Sequence, residues 1–184
     1  MNPEYYLAHI DLKARAKPDF STLFVDHEVS KNLALDLSRP FLSDDIDKVA
    51  CPESMGFIFG TLVARRLKKG LVPIRKAGKL PTLKNRIVRQ SFIDYTKQKN
   101  SFEMNRTLIQ PGDRVLVVDD WAETSGQIKG LIKLLEKRGA IIAGVSLLGF
   151  NRVAKTQWLD NNYKLRAIIE HSLEGERDHT KPLA

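Results

Sequence analysis

Apolar residues follow two spacings along this chain. Short unbroken runs, Val115 to Val118 above all, with Leu71 to Ile74 and the stretch from Ala140 to Phe150, are bounded by Gly, Pro and charged residues. Such runs predict parallel strands covered on both faces. Between them apolar residues recur every three or four positions: Val29, Leu33 and Leu37; Phe57, Ile58, Leu62 and Leu67; Ile128, Leu131, Ile132 and Leu135. Each set predicts a helix with that face turned inward. The ends agree. The first helix stops before Pro40, the second crowds Arg65, Arg66, Lys68 and Lys69 before Gly70, and the third places Lys133, Lys137 and Arg138 before Gly139, as the helix dipole and a C-terminal glycine favour. Asp47 to Cys51 is a further strand, Gln110-Pro-Gly-Asp113 a turn, and Gln157 to Ile169 a short helix followed by a last strand. Strands alternating with amphipathic helices predict an α/β fold with a parallel central sheet and ligands at the strands' carboxyl ends.

Other stretches are less regular. Residues 1 to about 22 carry Tyr5, Tyr6, Leu7 and Ile10, then a basic patch at Lys13, Arg15 and Lys17. They read as a peripheral element on the sheet or as an oligomer contact, which leaves a homodimer open. Thr82 to Asn100 has few apolar anchors and many charges, Lys84, Arg86, Arg89, Lys97 and Lys99 among them, which predicts a lid over a site. Ser101 to Met104 is expected to pair as an edge strand. The tail from Gly175 is polar and expected to be mobile.

Composition narrows the class. A chain of 184 residues with 42% hydrophobic and 28% charged residues can bury a core of its own as one domain. No apolar run approaches a membrane span, and Met1-Asn-Pro-Glu-Tyr-Tyr is no signal peptide. The single Cys51 excludes an internal disulfide and fits a reducing, cytoplasmic setting. A formal charge of +8 calls for an anionic partner; nucleic acid and a small polyanion both satisfy it. His9, His27, His171 and His179 have no metal-ligand spacing, so no protein-built metal site is expected. Trp121 and Trp158 are assigned to packing.

The chemistry concentrates after Val118, where Asp119 and Asp120 end a buried strand and Thr124, Ser125, Gly126 and Gln127 open the next helix. Backbone N–H groups and hydroxyls at a helix N-terminus form an anion site. Paired carboxylates at a strand tip suit a ligand with neighbouring hydroxyls, such as a ribose diol, whose phosphate would reach the helix. The plainer reading is that both acids merely favour the helix dipole, worth about 0.3–1 kcal/mol each. Neither G-x-x-x-x-G-K-[ST] nor G-x-G-x-x-G occurs, so an NTPase loop and a dinucleotide fingerprint are both absent.

Residues 115–127, four apolar, two acidic and then a Thr/Ser/Gly loop, resemble the phosphoribosyl-pyrophosphate (PRPP) signature of the type I phosphoribosyltransferases. Val72-Pro-Ile-Arg-Lys-Ala-Gly-Lys-Leu-Pro81 is similar to a stretch of the adenine phosphoribosyltransferases, and Pro52-Glu-Ser-Met-Gly-Phe-Ile-Phe-Gly60 resembles their pyrophosphate loop and following helix. Order and spacing agree from about residue 20 to 150. The resemblance implies a mostly parallel sheet flanked by helices, a flexible lid loop, and a small hood at about 1–28 and 151–175, with 176–184 as tail.

It also implies roles. Asp119 and Asp120 would hold the ribose hydroxyls, with Asp120 stabilising charge at the reacting carbon, and residues Glu123, Thr124, Ser125, Gly126 and Gln127 would receive the 5′-phosphate. Glu53 and Ser54, joined by a strained peptide, would bind pyrophosphate with Arg75, Lys76 and Lys79. Phe24 and Val25 would meet the base, and Asp94, paired with Tyr95, would be a catalytic group of the lid. Magnesium would be bound mainly through PRPP. Several positions depart from the pattern: Val25 and Met55 stand where Arg is common, and Glu123, Ser125 and Gln127 replace a small residue, a Gly and a Thr. Ser125 would be forced toward positive φ, a strain of about 1 kcal/mol.

Three functions follow in order. The first is a purine phosphoribosyltransferase, adenine-like, with xanthine or guanine as alternative bases. The second is a non-catalytic PRPP-binding regulator. The third, a nucleic-acid binder, is permitted by charge but supported by no binding motif.

Overall fold

The computed structural model describes residues 2–11, 18–94, 97–154 and 156–172. Lys13, Arg15, Lys17, Tyr95, His179 and the tail from Gly175 lie outside the described residues. Seven strands form one sheet: β1 (Lys48–Pro52), β2 (Gly70–Lys76), β3 (Ile87–Ile93), β4 (Lys99–Asn105), β5 (Arg114–Ala122), β6 (Ile141–Arg152) and β7 (Leu165–Ser172), in the order β3-β4-β2-β1-β5-β6-β7. Strands β2, β1, β5, β6 and β7 run parallel, while β4 pairs antiparallel with β2 and with β3.

The helices are α1 (Pro3–Leu7), α2 (Thr22–Val25), α3 (His27–Ser38), α4 (Met55–Leu67), α5 (Gly126–Glu136) and α6 (Gln157–Asn162). The central run explains the layering. Val115 and Val117 of β5 pack with Ile128, Leu131 and Leu135 of α5 on one face, and Leu116 and Val118 pack with Leu33 of α3 and Phe59 and Val63 of α4 on the other. A strand with helices on both sides has no polar face, hence four apolar residues in succession. The N-terminal segment joins the α3–α4 side, where Tyr6 is buried and its hydroxyl donates to Asp36 Oδ2 at 2.9 Å. Gly139 takes φ +78 just past α5, as its place after the last helical turn predicts.

Two expectations change. The inward face of α4 is Gly56, Phe59, Gly60, Val63 and Ala64, whereas Ile58 is 40% exposed. The apolar spacing pointed one position away because two of the inward residues are glycines, which hydrophobicity does not register. A Cβ on Gly60 would stand 2.5 Å from Cys51 Sγ, so α4 lies closer to β1 than any larger residue would permit. Ser101 to Met104 is not at the edge: β4 lies between β2 and β3, and β3 takes the edge. Residues read as a lid supply that strand, anchored by Phe92, which is buried and stacks on Phe102 with ring centroids 4.5 Å apart.

Candidate active site

A cleft opens where β1, β2 and β5 end, bordered by Glu53 and Ser54, Lys76, the Asp119–Trp121 tip, and Thr124 and Gln127. This is the carboxyl edge of the parallel strands, where peptide dipoles and loop amides converge.

The acid pair is split by its surroundings. Asp119 is 2% exposed; its Oδ1 accepts from the Asp120 backbone N–H at 2.9 Å and its Oδ2 from the Gln127 side-chain amide at 3.0 Å. Burial, followed by the neighbouring Asp120 charge, pushes the Asp119 carboxyl well above the usual carboxylate range, against those two hydrogen bonds. Asp120 is only half-buried and accepts from the Trp121 N–H at 2.6 Å. Gly56, in the first turn of α4, makes room for the buried acid, since a Cβ there would lie 3.0 Å from Asp119 Oδ1 and 2.9 Å from Pro52 Cδ.

The loop after β5 turns into α5 at Gly126. Ser125 is the N-cap with φ −72, an ordinary right-handed value, so the expected positive-φ strain is absent: the chain enters the helix directly and needs no glycine conformation at this position. Gly126 is required for a different reason. A Cβ there would meet the Ile93 carbonyl oxygen at 2.2 Å, and one on Gly130 would meet Phe92 Cβ at 2.7 Å and its ring at 2.9 Å. The end of β3 therefore rests on the first turn of α5, and the hairpin tip beyond it reaches the cleft through Asp94.

Asp94 borders the cleft, yet its carboxylate works within that tip. Oδ1 accepts from the Gln98 N–H at 3.0 Å and Oδ2 from Asn100 Nδ2 at 2.6 Å. On the opposite wall the Glu53–Ser54 peptide is cis. Glu53 points away from open solvent: its carboxylate accepts from Arg75 Nε at 2.5 Å and from the Lys76 backbone N–H at 3.0 Å, with Lys79 Nζ 3.4 Å away. Burial alone would raise the Glu53 carboxyl, but the Arg75 and Lys76 hydrogen bonds and the charges of Arg75 and Lys79 outweigh it and hold it below its ordinary value. Lys76 itself lines the cleft, whereas Arg75 and Lys79 stand behind it, paired with Glu53.

The residues expected on the base side are placed differently. Val25 is 87% exposed, and Phe24 packs edge-on against Phe59 with centroids 5.2 Å apart; neither borders the cleft. Phe20 and Trp121 do, with rings 19° from parallel and centroids 6.2 Å apart. Trp121 lies flat on Gly149, where a Cβ would stand 2.0 Å from the indole, and its Nε1–H donates to Asn151 Oδ1 at 3.3 Å. Sequence reasoning assigned Trp121 to packing and passed over Phe20. Their signal was position: Trp121 directly follows the acid pair, and Phe20 precedes the short turn into α2. Among the described residues no three His, Cys, Asp or Glu side chains gather as a metal site, and no helix is long and apolar enough to cross a membrane.

Paired acids, a helix-opening loop and a basic turn thus meet at the carboxyl edge of a mostly parallel sheet, an arrangement suited to a sugar phosphate. Residues 27–177 match the family described as the phosphoribosyl transferase domain, and the chain belongs to that family. It is 37% identical over 156 residues to an adenine phosphoribosyltransferase of Bradyrhizobium sp. (strain BTAi1), covering 82% of this chain and 83% of that one. It is 40% identical over 131 residues to the adenine phosphoribosyltransferase of Dinoroseobacter shibae, covering 71% and 70%. The solved adenine phosphoribosyltransferase of Rhodothermus marinus superposes with a TM-score of 0.81 at 28% identity, over 92% of this chain and 98% of that one. The Giardia lamblia enzyme complexed with 9-deazaadenine gives 0.82 at 25% identity, over 94% and 99%.

Proposed function

We propose that this chain is a purine phosphoribosyltransferase that joins a ring nitrogen of adenine to C1 of the ribosyl group of PRPP and releases pyrophosphate. The carrying observation is the convergence on one cleft of the Asp119–Asp120 tip, the opening of α5 and the Glu53–Ser54 turn. Enzymes that share this chain's family and bear the name adenine phosphoribosyltransferase support adenine as the base.

In this reading the C1–O bond to pyrophosphate breaks with its electron pair leaving on the diphosphate, the C1–N bond to the base forms, and the ring N–H proton is released to solvent. Asp120 faces the ribose and stabilises positive charge developing at C1. Asp119, turned inward, fixes the Asp120 backbone and Gln127. Amides of residues 123–127 and the N-terminus of α5 receive the 5′-phosphate. Lys76 faces the diphosphate, with Arg75 and Lys79 behind it, and Ser54, whose side chain makes no helix-capping bond, lies beside them. Phe20 and Trp121 wall the base side in place of Phe24 and Val25, and Asp94 shapes the hairpin tip. Magnesium would enter with PRPP rather than in a protein-built site, with the hard carboxylate of Asp120 suited to meet its hydration shell, and would supply neutralisation of the leaving diphosphate.

The test is pyrophosphate release from PRPP and magnesium with adenine, guanine, hypoxanthine and xanthine in turn. Release that depends on adenine supports the proposal. Release with another base alone reassigns the substrate, and PRPP binding without release for any base turns the chain into a regulator.

A further inference from the structure

Glu103 sits in the middle of β4, opposite Arg75 of β2 on one side and Arg89 of β3 on the other. It is 1% exposed. An ionised side chain so deeply buried is costly unless its oxygens are well satisfied. One oxygen, Oε1, accepts from Arg89 Nε at 2.9 Å and from its Nη2. The other reaches across to the turn after β2, accepting from the Gly78 backbone N–H at 2.9 Å. Strands β3 and β4 are already paired along seven residues, from Ile87 with Asn105 to Ile93 with Lys99, so the sheet itself does not call for that second contact.

What the contact does is shape the basic turn. Every amide of residues 76–79 has an acceptor within the protein. Lys76 N–H donates to Glu53 Oε1 at 3.0 Å, Ala77 N–H to the Ser101 carbonyl at 2.9 Å, Gly78 N–H to Glu103 Oε2 at 2.9 Å, and Lys79 N–H to the Lys76 carbonyl at 3.2 Å. Gly78, at φ +83 with open space where a Cβ would be, supplies the left-handed step. The turn is thus held from two sides by buried carboxylates, Glu53 from the end of β1 and Glu103 from β4. Its amides are occupied, so an anion at this wall meets side-chain ammonium groups rather than a backbone nest.

Resting on the proposed reaction, we propose that Glu103 is a positioning residue for the diphosphate: it fixes Gly78, and through it the turn that presents Lys76 to the cleft. Nothing about Glu103 touches the ribose, the 5′-phosphate loop or the base wall. Its loss therefore acts on one part of the substrate.

The experiment compares wild type, Glu103→Gln and Glu103→Asp. Gln cannot accept from both Arg89 and Gly78, because its NH₂ must face one of these donors. Asp keeps the charge beside Arg89 but is one methylene too short to reach Gly78 as well. Both variants are expected to raise KM for PRPP and weaken magnesium pyrophosphate binding by about tenfold or more, the loss expected for a charged hydrogen bond. KM for adenine and the affinity for AMP, which lacks a diphosphate, should stay within about twofold on the same reasoning. Loss of AMP and pyrophosphate binding together, or unchanged pyrophosphate binding in Glu103→Asp, overturns the assignment. Should one variant not fold, the other decides by the same ratio. A wild type that releases no pyrophosphate with any base refutes the proposed reaction instead, so the two failures are distinct.

Discussion

Gln127 reaches from the first turn of α5 to the tip of β5 and donates its side-chain amide to Oδ2 of Asp119 at 3.0 Å. With Oδ1 held by the Asp120 backbone N–H at 2.9 Å, both oxygens of the buried acid are engaged in holding the loop. Two adjacent carboxylates that look alike in sequence thereby differ in setting: both border the cleft, but Asp119 is buried with both oxygens engaged within the protein, whereas Asp120 is only half-buried.

That division predicts two distinct phenotypes. Asp120→Asn removes a charge at the cleft and should lower kcat on the order of 10²-fold, the effect of deleting one electrostatic stabiliser, with little change in Tm. Asp119→Asn turns an NH₂ toward one of two donors and should cost about 1–3 kcal/mol of stability. Thermal melts and steady-state rates on both variants check this. A normal rate in Asp120→Asn, or a normal Tm in Asp119→Asn, contradicts the split.

Trp121 gives a spectroscopic prediction. Stacking a base on an aromatic ring is worth about 1–3 kcal/mol by alanine substitution, so Trp121→Ala should raise KM for the base by roughly five- to a hundredfold and KM for PRPP much less. Trp158 packs against Tyr163 with ring centroids 5.4 Å apart, among core residues of the α5 face. In a Trp158→Phe background the remaining indole fluorescence therefore reports the cleft alone and should be quenched by adenine. No change in emission on saturation would remove Trp121 from the base wall.

The layered fold was legible because its signal is hydrophobic. Val115 to Val118, and Ile128 with Leu131, Ile132 and Leu135, are all buried where their spacing predicts. The placement of the acid pair at the end of β5 and of the turn that opens α5 was legible too, because the apolar run and the helical spacing bracket them. The base wall was not. Leu116 and Val118 face α4 whereas Val115 and Val117 face α5, so strict alternation sends Trp121 toward α5; in the structure it packs on the α4 side, and Ala122 returns to the other. The alternation reverses between Val118 and Trp121, where Asp119 and Asp120 bond back to the chain, and no periodicity argument registers such a reversal. Glu103 was missed for a related reason: it reads as one more polar residue of β4, and its contact is to a turn 25 residues earlier in the chain.

Gly60 offers a packing test. A Cβ there would lie 2.5 Å from Cys51 Sγ and 2.7 Å from Cys51 Cβ, inside the strand that leads to Glu53 and Ser54. Gly60→Ala should force α4 and β1 apart and lower stability by about 1–3 kcal/mol, the usual range for overpacking. Adding Cys51→Ala removes the sulfur and leaves the Cβ, so the double variant should recover part of the loss, a non-additivity that a double-mutant cycle measures. Strictly additive effects would show that the two residues do not press on each other.

Cys51 itself links this packing to pH. Burial, assisted by the nearby Asp119 charge, pushes its thiol from 9.0 up to about 12. The folded chain thus keeps the proton after the unfolded chain has released it. Stability from this group is fully present below pH 9.0 and is lost as pH rises from there through about 12, at no more than about 1.4 kcal/mol per pH unit for one proton. Because the chain has one cysteine, a thiol reagent gives a clean readout. At pH 8 native protein should react far more slowly than an exposed thiol, and one equivalent should react promptly once the chain is unfolded in denaturant. Denaturation midpoints measured from pH 8 to 11 should fall more steeply for wild type than for Cys51→Ala. Rapid labelling of the native thiol, or parallel pH profiles for the two proteins, would place Cys51 outside the protected contact between β1 and α4.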